Sequence, residues 1–219
     1  SFKPVMLSVK KLIYSCQVGV SAFVGEISSG VITVAFNMII LKLAGNVGVA
    51  AYGVVANISL VAVALFNGIA QGSQPLVSES YGKGKMQDVK YVVRLAIRTA
   101  VVLAVLIIAA IYIWSDPIAS IFNSEKNMEL AAYAREGIRL YFLGFLFAGV
   151  NIVATSALSA VEAVRWAFAS SIMRGFAAIL IFAFVLSAAF GMTGVWLAFP
   201  AAELVTMVLS IAGLRKSLK

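Results

Sequence analysis

The sequence predicts an all-α fold: a polytopic membrane protein, a single bundle of six transmembrane helices over residues 1–219. Three observations predict it. The chain is 62% hydrophobic and only 12% charged, where a soluble domain carries about 25% charged residues. Its mean hydropathy is +1.02. The apolar residues are also gathered into runs: residues 43–78, 99–115, 140–161 and 175–202 hold no Asp, Glu, Lys or Arg, and 12–41 hold only Glu26. A spanning helix needs about 20 such residues. Barrel strands would alternate apolar and polar positions, and these runs are continuous.

The helices are expected at about 14–41, 49–78, 92–114, 138–160, 167–190 and 194–213. KLAGNVGVAAYG joins the first two, with glycines to turn the chain, and SESYGKGKMQD follows the second. Pro75 lacks an N–H and is expected to kink the second helix near its end. The third helix stops ahead of SDPIASIFNSEKN, read as a longer loop in which Asp116 caps the helix end before Pro117. FGMTGVW is a tight hairpin before the sixth helix. G-x-x-G-V occurs at Gly45–Val49 and again at Gly191–Val195, opening helices two and six, too short a repeat to establish a duplication.

Basic residues set the expected orientation. Lys3, Lys10, Lys11, Lys83, Lys85, Lys90, Arg94, Arg98, Arg165, Arg174, Arg215, Lys216 and Lys219 fall on one side. Lys42, Lys126, Arg135 and Arg139 fall on the other, diluted by Asp116, Glu125, Glu129 and Glu136. Both termini are therefore expected in the cytoplasm, with the protein in the inner (plasma) membrane. The net charge of +8 follows from this bias and from contact with anionic headgroups, and calls for no nucleic acid. There is no histidine and only one cysteine, Cys16, so no intrachain disulfide forms and no metal site or cofactor is implied. Without a nucleophile–base pair or paired intramembrane aspartates, an intramembrane enzyme is disfavoured. The start at SFKP, just ahead of a span, reads as a piece of a longer chain.

Polar groups inside a membrane are costly, so their placement is informative. On helix one Ala22, Glu26, Ser29/Gly30, Thr33 and Asn37 share a face, opposite lipid-suited Val24, Ile27, Val31, Val34 and Met38. Helix two carries Asn57, Ala64, Asn67, Gln71, Gln74 and Ser78 on one face, and helix four Tyr141, Gly144, Ala148, Asn151, Thr155 and Ser159. Such stripes serve either as helix contacts or as the wall of a hydrated cavity. Three of them, one with a carboxylate at mid-membrane, favour the cavity, lined by Ser29, Thr33, Asn37, Asn67, Gln71, Asn151 and Thr155. Arg174 and Glu203 sit on adjacent helices of a hairpin at depths about 6 Å apart. They are read as a structural ion pair in preference to Glu203 as a second coupling site. Glu26 has no basic partner in its stripe, and such a carboxylate can take up a proton or hold a hard cation with help from Asn and Ser oxygens.

FVGEISSG, GNVGVAAYGVVANIS, GIAQGSQPLVSESYGKGK, FLFAGVNIVATSALSAV and GMTGVWLAFPAAELVT, in this order, resemble the multidrug and toxic compound extrusion (MATE) transporters. That resemblance implies one six-helix lobe, the C-terminal one, of a twelve-helix protein whose N-terminal lobe is missing from this chain. It implies secondary active transport: efflux of cationic amphiphilic compounds by alternating access, in antiport with H+ or Na+. It carries a coupling role to Glu26. Where one bacterial branch has an aspartate in the tenth helix, this sequence has Asn151, which suggests proton coupling or an ion site in the other lobe. The alternative within the superfamily, a flippase for lipid-linked precursors or polysaccharides, needs several cations in its cavity, and the stripes supply only Arg174.

Overall fold

A computed structural model describes the backbone of residues 9–121 and 127–218, and side chains from Gly30 onward except Asp116, Ala119 and Ile121. The described chain is helical from end to end: α1 (Val9–Gly82), α2 (Met86–Ile121), α3 (Met128–Phe142), α4 (Phe145–Ala160), α5 (Val164–Ile172), a π-turn (Met173–Ala177) and α6 (Ala178–Ser217).

Two of these helices are hairpins. In α1 only Gly45 leaves helical geometry, at φ 60° and ψ −157°. Yet the Phe36 and Tyr52 rings on either side stack with centroids 5.5 Å apart, where sixteen residues of straight helix would separate them by about 24 Å. In α6 Gly191 does the same at φ 58° and ψ −133°. The repeated G-x-x-G-V is therefore one hairpin device used twice. Its first glycine takes the left-handed turn that a Cβ would strain. Its second lets the limbs close: a Cβ at Gly194 would stand 1.9 Å from the Leu186 carbonyl oxygen, and one at Gly48 2.5 Å from Ala44 Cβ.

Three long apolar helical stretches and one bent pair meet the length and hydropathy of spans. Folding α1 and α6 at their glycines gives the six expected crossings. Three of the spans differ from expectation in form. The fourth span begins at Met128, ten residues earlier than expected, because Asn127 caps it by accepting from the Glu129 and Leu130 amides at 2.9 and 3.1 Å. It then bends by 45° between α3 and α4. The third span runs past Asp116 and Pro117 to Ile121 after a break at Trp114, so the expected loop is partly helix; the Asp116 side chain lies outside the described residues. The fifth span contains the π-turn, where the Ala178 N–H reaches back five residues to the Met173 carbonyl.

Two other ends are Schellman motifs. After α1 the Lys85 amide bonds to Ser80 O at 2.9 Å and the Gly84 amide to Tyr81 O at 2.9 Å. After α4 the Ala163 amide bonds to Leu158 O at 2.9 Å and the Glu162 amide to Ser159 O at 3.2 Å. Here Glu162 occupies the left-handed position, at φ 57°.

The core is made largely of alanines, such as Ala100, Ala104, Ala134, Ala148 and Ala154, all 0% exposed. Small residues let helices approach closely where lipid removes the hydrophobic drive to associate. Larger side chains fill fitted gaps: Trp196 lies against Gly137, and Phe66 against Gly149. The first limb of α1 uses Phe36 and Ile40 to pack on Ala178, Ile179, Ala183 and Val195, while its Val31, Val34 and Met38 face outward as expected, 45–57% exposed. Of the expected polar stripe, Thr33 and Asn37 thus flank the buried face of this limb, whose centre Phe36 and Ile40 occupy.

Candidate functional site: a cavity around Arg174 and Glu203

A cavity of about 510 Å³ opens between both limbs of α1, the α3–α4 bend, the π-turn and the second limb of α6. One wall is aromatic. Tyr141 and Phe199 stack at 4.2 Å with planes 7° apart, and Tyr52 and Phe36 continue that wall. The bend makes this possible: a Cβ at Gly144 would stand 2.5 Å from the Phe199 ring and 3.1 Å from Pro200 Cα, so glycine there admits α6. Short i→i+3 bonds carry the backbone through the bend, from the Gly144 amide to Tyr141 O and from the Phe147 amide to Gly144 O, both 3.0 Å.

Hydroxyls and amides form the other wall: Asn67 and Gln74 from α1, Thr155, Ser156 and Ser159 from α4, and Ser171 from α5. Two charged residues complete it. The Arg174 Nε donates to Glu203 Oε1 at 2.7 Å. The Asn151 Nδ2 donates to Glu203 Oε2 at 2.7 Å and to the Glu203 carbonyl at 2.8 Å. One residue on each of three elements is therefore tied into a single network, from α4 through α6 to the π-turn.

Of the residues singled out in the sequence, Asn67, Thr155, Arg174 and Glu203 meet at this cavity. Asn151 does not line it: it is 0% exposed, because the second limb of α6 closes over the middle of the α4 stripe. Gly144 and Ala148 are buried with it, and only the stripe's ends, Tyr141, Thr155 and Ser159, reach the cavity. Asn37 lies elsewhere, in a shallow depression with Asn46 and Val49. Thr33 and Gln71 are exposed on the surface of the bundle. The side chains of Glu26 and Ser29 lie outside the described residues. Of the aromatic wall the sequence reading held only Tyr141; Phe36, Tyr52, Phe199 and Ser171 escaped it, although Ser171 stands one helical turn before Arg174 and so shares its face.

The MatE family model matches residues 22–176. The chain belongs to the MatE family. Its fold is that of one lobe of solved MATE transporters. An inward-facing multidrug resistance MATE family transporter of the MOP superfamily superposes with TM-score 0.88 at 17% identity, over 99% of this chain and 49% of that one. An outward-facing one gives 0.86 at 15%, over 99% and 49%. A MOP superfamily transporter from Pyrococcus furiosus, described by a binding pocket of reverse polarity, gives 0.81 at 16%, over 99% and 48%. The chain spans about half the length of these structures. No curated protein sequence matches it. As a MatE lobe it is membrane-embedded, and its family is one of transporters, not enzymes.

Proposed function

We propose that this MatE lobe is the C-terminal half of a secondary active antiporter. It exports cationic amphiphilic compounds by alternating access in exchange for H+ or Na+, across the inner (plasma) membrane. The observation that carries this reading is the match of the whole lobe to half of MATE transporters in both inward- and outward-facing forms, with TM-scores of 0.88 and 0.86. A lobe that keeps one internal fold in both states is suited to rocking as a body against a partner lobe. A ligand shifts such an equilibrium only by binding its two states differently, and competition between a coupling cation and a cationic substrate for one carboxylate supplies that difference. Glu26 is the residue assigned to it.

The test uses the full-length protein in proteoliposomes, with proton and sodium gradients imposed separately. One of the two is expected to drive substrate movement, and Glu26→Gln is expected to abolish coupled transport while leaving insertion and folding intact. Transport driven by neither gradient, or undiminished in Glu26→Gln, overturns the proposal.

A further inference from the structure

Arg174 and Glu203 meet the cavity differently. The Arg174 side chain is 29% exposed and that of Glu203 only 3%. Both carboxylate oxygens are engaged, Oε1 by Arg174 and Oε2 by Asn151. The arginine has committed Nε alone; its two terminal nitrogens, with four N–H donors, have no partner among the described residues. Both residues line the cavity, the Arg174 side chain far more openly than the Glu203 carboxylate, so an entering ligand meets chiefly the guanidinium. No other charged residue lines the cavity among the described residues. An entering cation would meet the guanidinium, and the only carboxylate among the described lining residues is already paired. An entering carboxylate would meet a planar fork of N–H donors, the geometry that guanidinium matches best. The Ser171 and Thr155 hydroxyls lie on the same lining, and the Tyr141–Phe199 stack supplies a flat apolar face. The volume of about 510 Å³ falls within the range of small-molecule sites, about 300–1,000 Å³.

We propose that this cavity is a binding site for organic anions, specifically aromatic carboxylates. The carboxylate is held by the terminal N–H groups of Arg174 and the ring lies against Tyr141 and Phe199. Glu203 is a positioning residue: it holds Nε, so that the fork points outward, and Asn151 holds Glu203. On the transporter reading above, this cavity thus takes a different charge class from the one assigned to Glu26.

The test is equilibrium binding of 2-naphthoate to the full-length protein in detergent, with displacement by the neutral naphthalene-2-carboxamide and the cationic 2-naphthylmethylammonium. Displacement confines the readout to the naphthoate site. Naphthoate is expected to bind at least about 10-fold more tightly than either competitor, the scale of one hydrogen-bonded charge. Glu203→Gln frees the guanidinium of its internal counter-ion and is expected to raise naphthoate affinity. The double variant Arg174→Gln, Glu203→Gln leaves no charge unpaired and is expected to lose the preference while still binding the carboxamide. Equal binding of all three probes overturns the proposal, as does preferred binding of the ammonium or weaker naphthoate binding in Glu203→Gln. If the double variant does not fold, the native protein and Glu203→Gln decide it. Binding needs no gradient, so a lost anion preference leaves coupled export standing, and lost export leaves the preference.

Discussion

Glu203 shows how one residue can hold a membrane protein together at a cost. A carboxylate at 3% exposure is tolerated because each of its oxygens has a donor, one of them charged. The balance fails if a partner is taken away. Asn151→Ala removes two hydrogen bonds at 2.7 and 2.8 Å and leaves Oε2 and a carbonyl buried without their side-chain donor. An orphaned acceptor such as Oε2 costs about 1–3 kcal/mol, so a clearly lower unfolding temperature is expected in a thermal-shift assay. An unchanged midpoint would mean that water replaces the amide and that the network is wetter than its burial implies.

At the scale of elements the glycines carry the fold, and they divide by what surrounds them. Gly194→Ala drives a Cβ into backbone, 1.9 Å from Leu186 O, where no rotamer change relieves it. The α6 hairpin is expected to splay, at the upper end of the roughly 1–3 kcal/mol seen for overpacking. Gly72→Ala meets nothing within 4 Å and gains helix propensity of up to about 1 kcal/mol. The two variants are therefore expected to move thermal stability in opposite directions, measured by monodisperse yield after heating. Glu162 supplies the converse case, a non-glycine in the left-handed position at φ 57°. Glu162→Gly relieves strain of about 1–2 kcal/mol, partly offset by the freer unfolded chain, so a small rise in unfolding temperature is expected. A fall would show that the Glu162 side chain makes a stabilising contact at the membrane surface.

At the scale of the whole molecule, both ends of the bundle carry polar ties but differ in charge. At the end that carries Lys83, Lys85, Arg165 and Arg215, Lys216 lies 5.8 Å from the centre of the Trp166 ring. At the other, Arg139 donates to Ser115 Oγ from Nε at 3.2 Å and from Nη2 at 3.0 Å, and Thr193 donates to Glu136 at 2.5 Å, which fastens α3 to α2 and to the α6 hairpin. The basic bias is the ground for proposing that the first end faces the cytoplasm. In a Cys16→Ser background, a cysteine at Lys85 is expected to react with a membrane-impermeant maleimide only after the inner membrane is opened. One at Met128, 87% exposed, is expected to react in spheroplasts. The reverse pattern would invert the proposed topology.

The sequence by itself determined the class, the number of crossings and the three polar stripes. These follow from composition along the chain, which a bilayer reads one segment at a time. The Arg174–Glu203 proximity was also legible, because helical rise converts residue number into depth on the two limbs of a hairpin. Which way a stripe faces was not. The middle of the α4 stripe is dry because α6 leans in through Gly144, and Phe36 with Ile40, not Thr33 or Asn37, occupy the buried face of the described part of the first limb. Nor could spacing show that, of the two, Arg174 is the more open to the cavity while Glu203 is almost fully buried. Side-chain polarity tells which residues prefer company; only the packed neighbours decide whether that company is water, lipid or another helix.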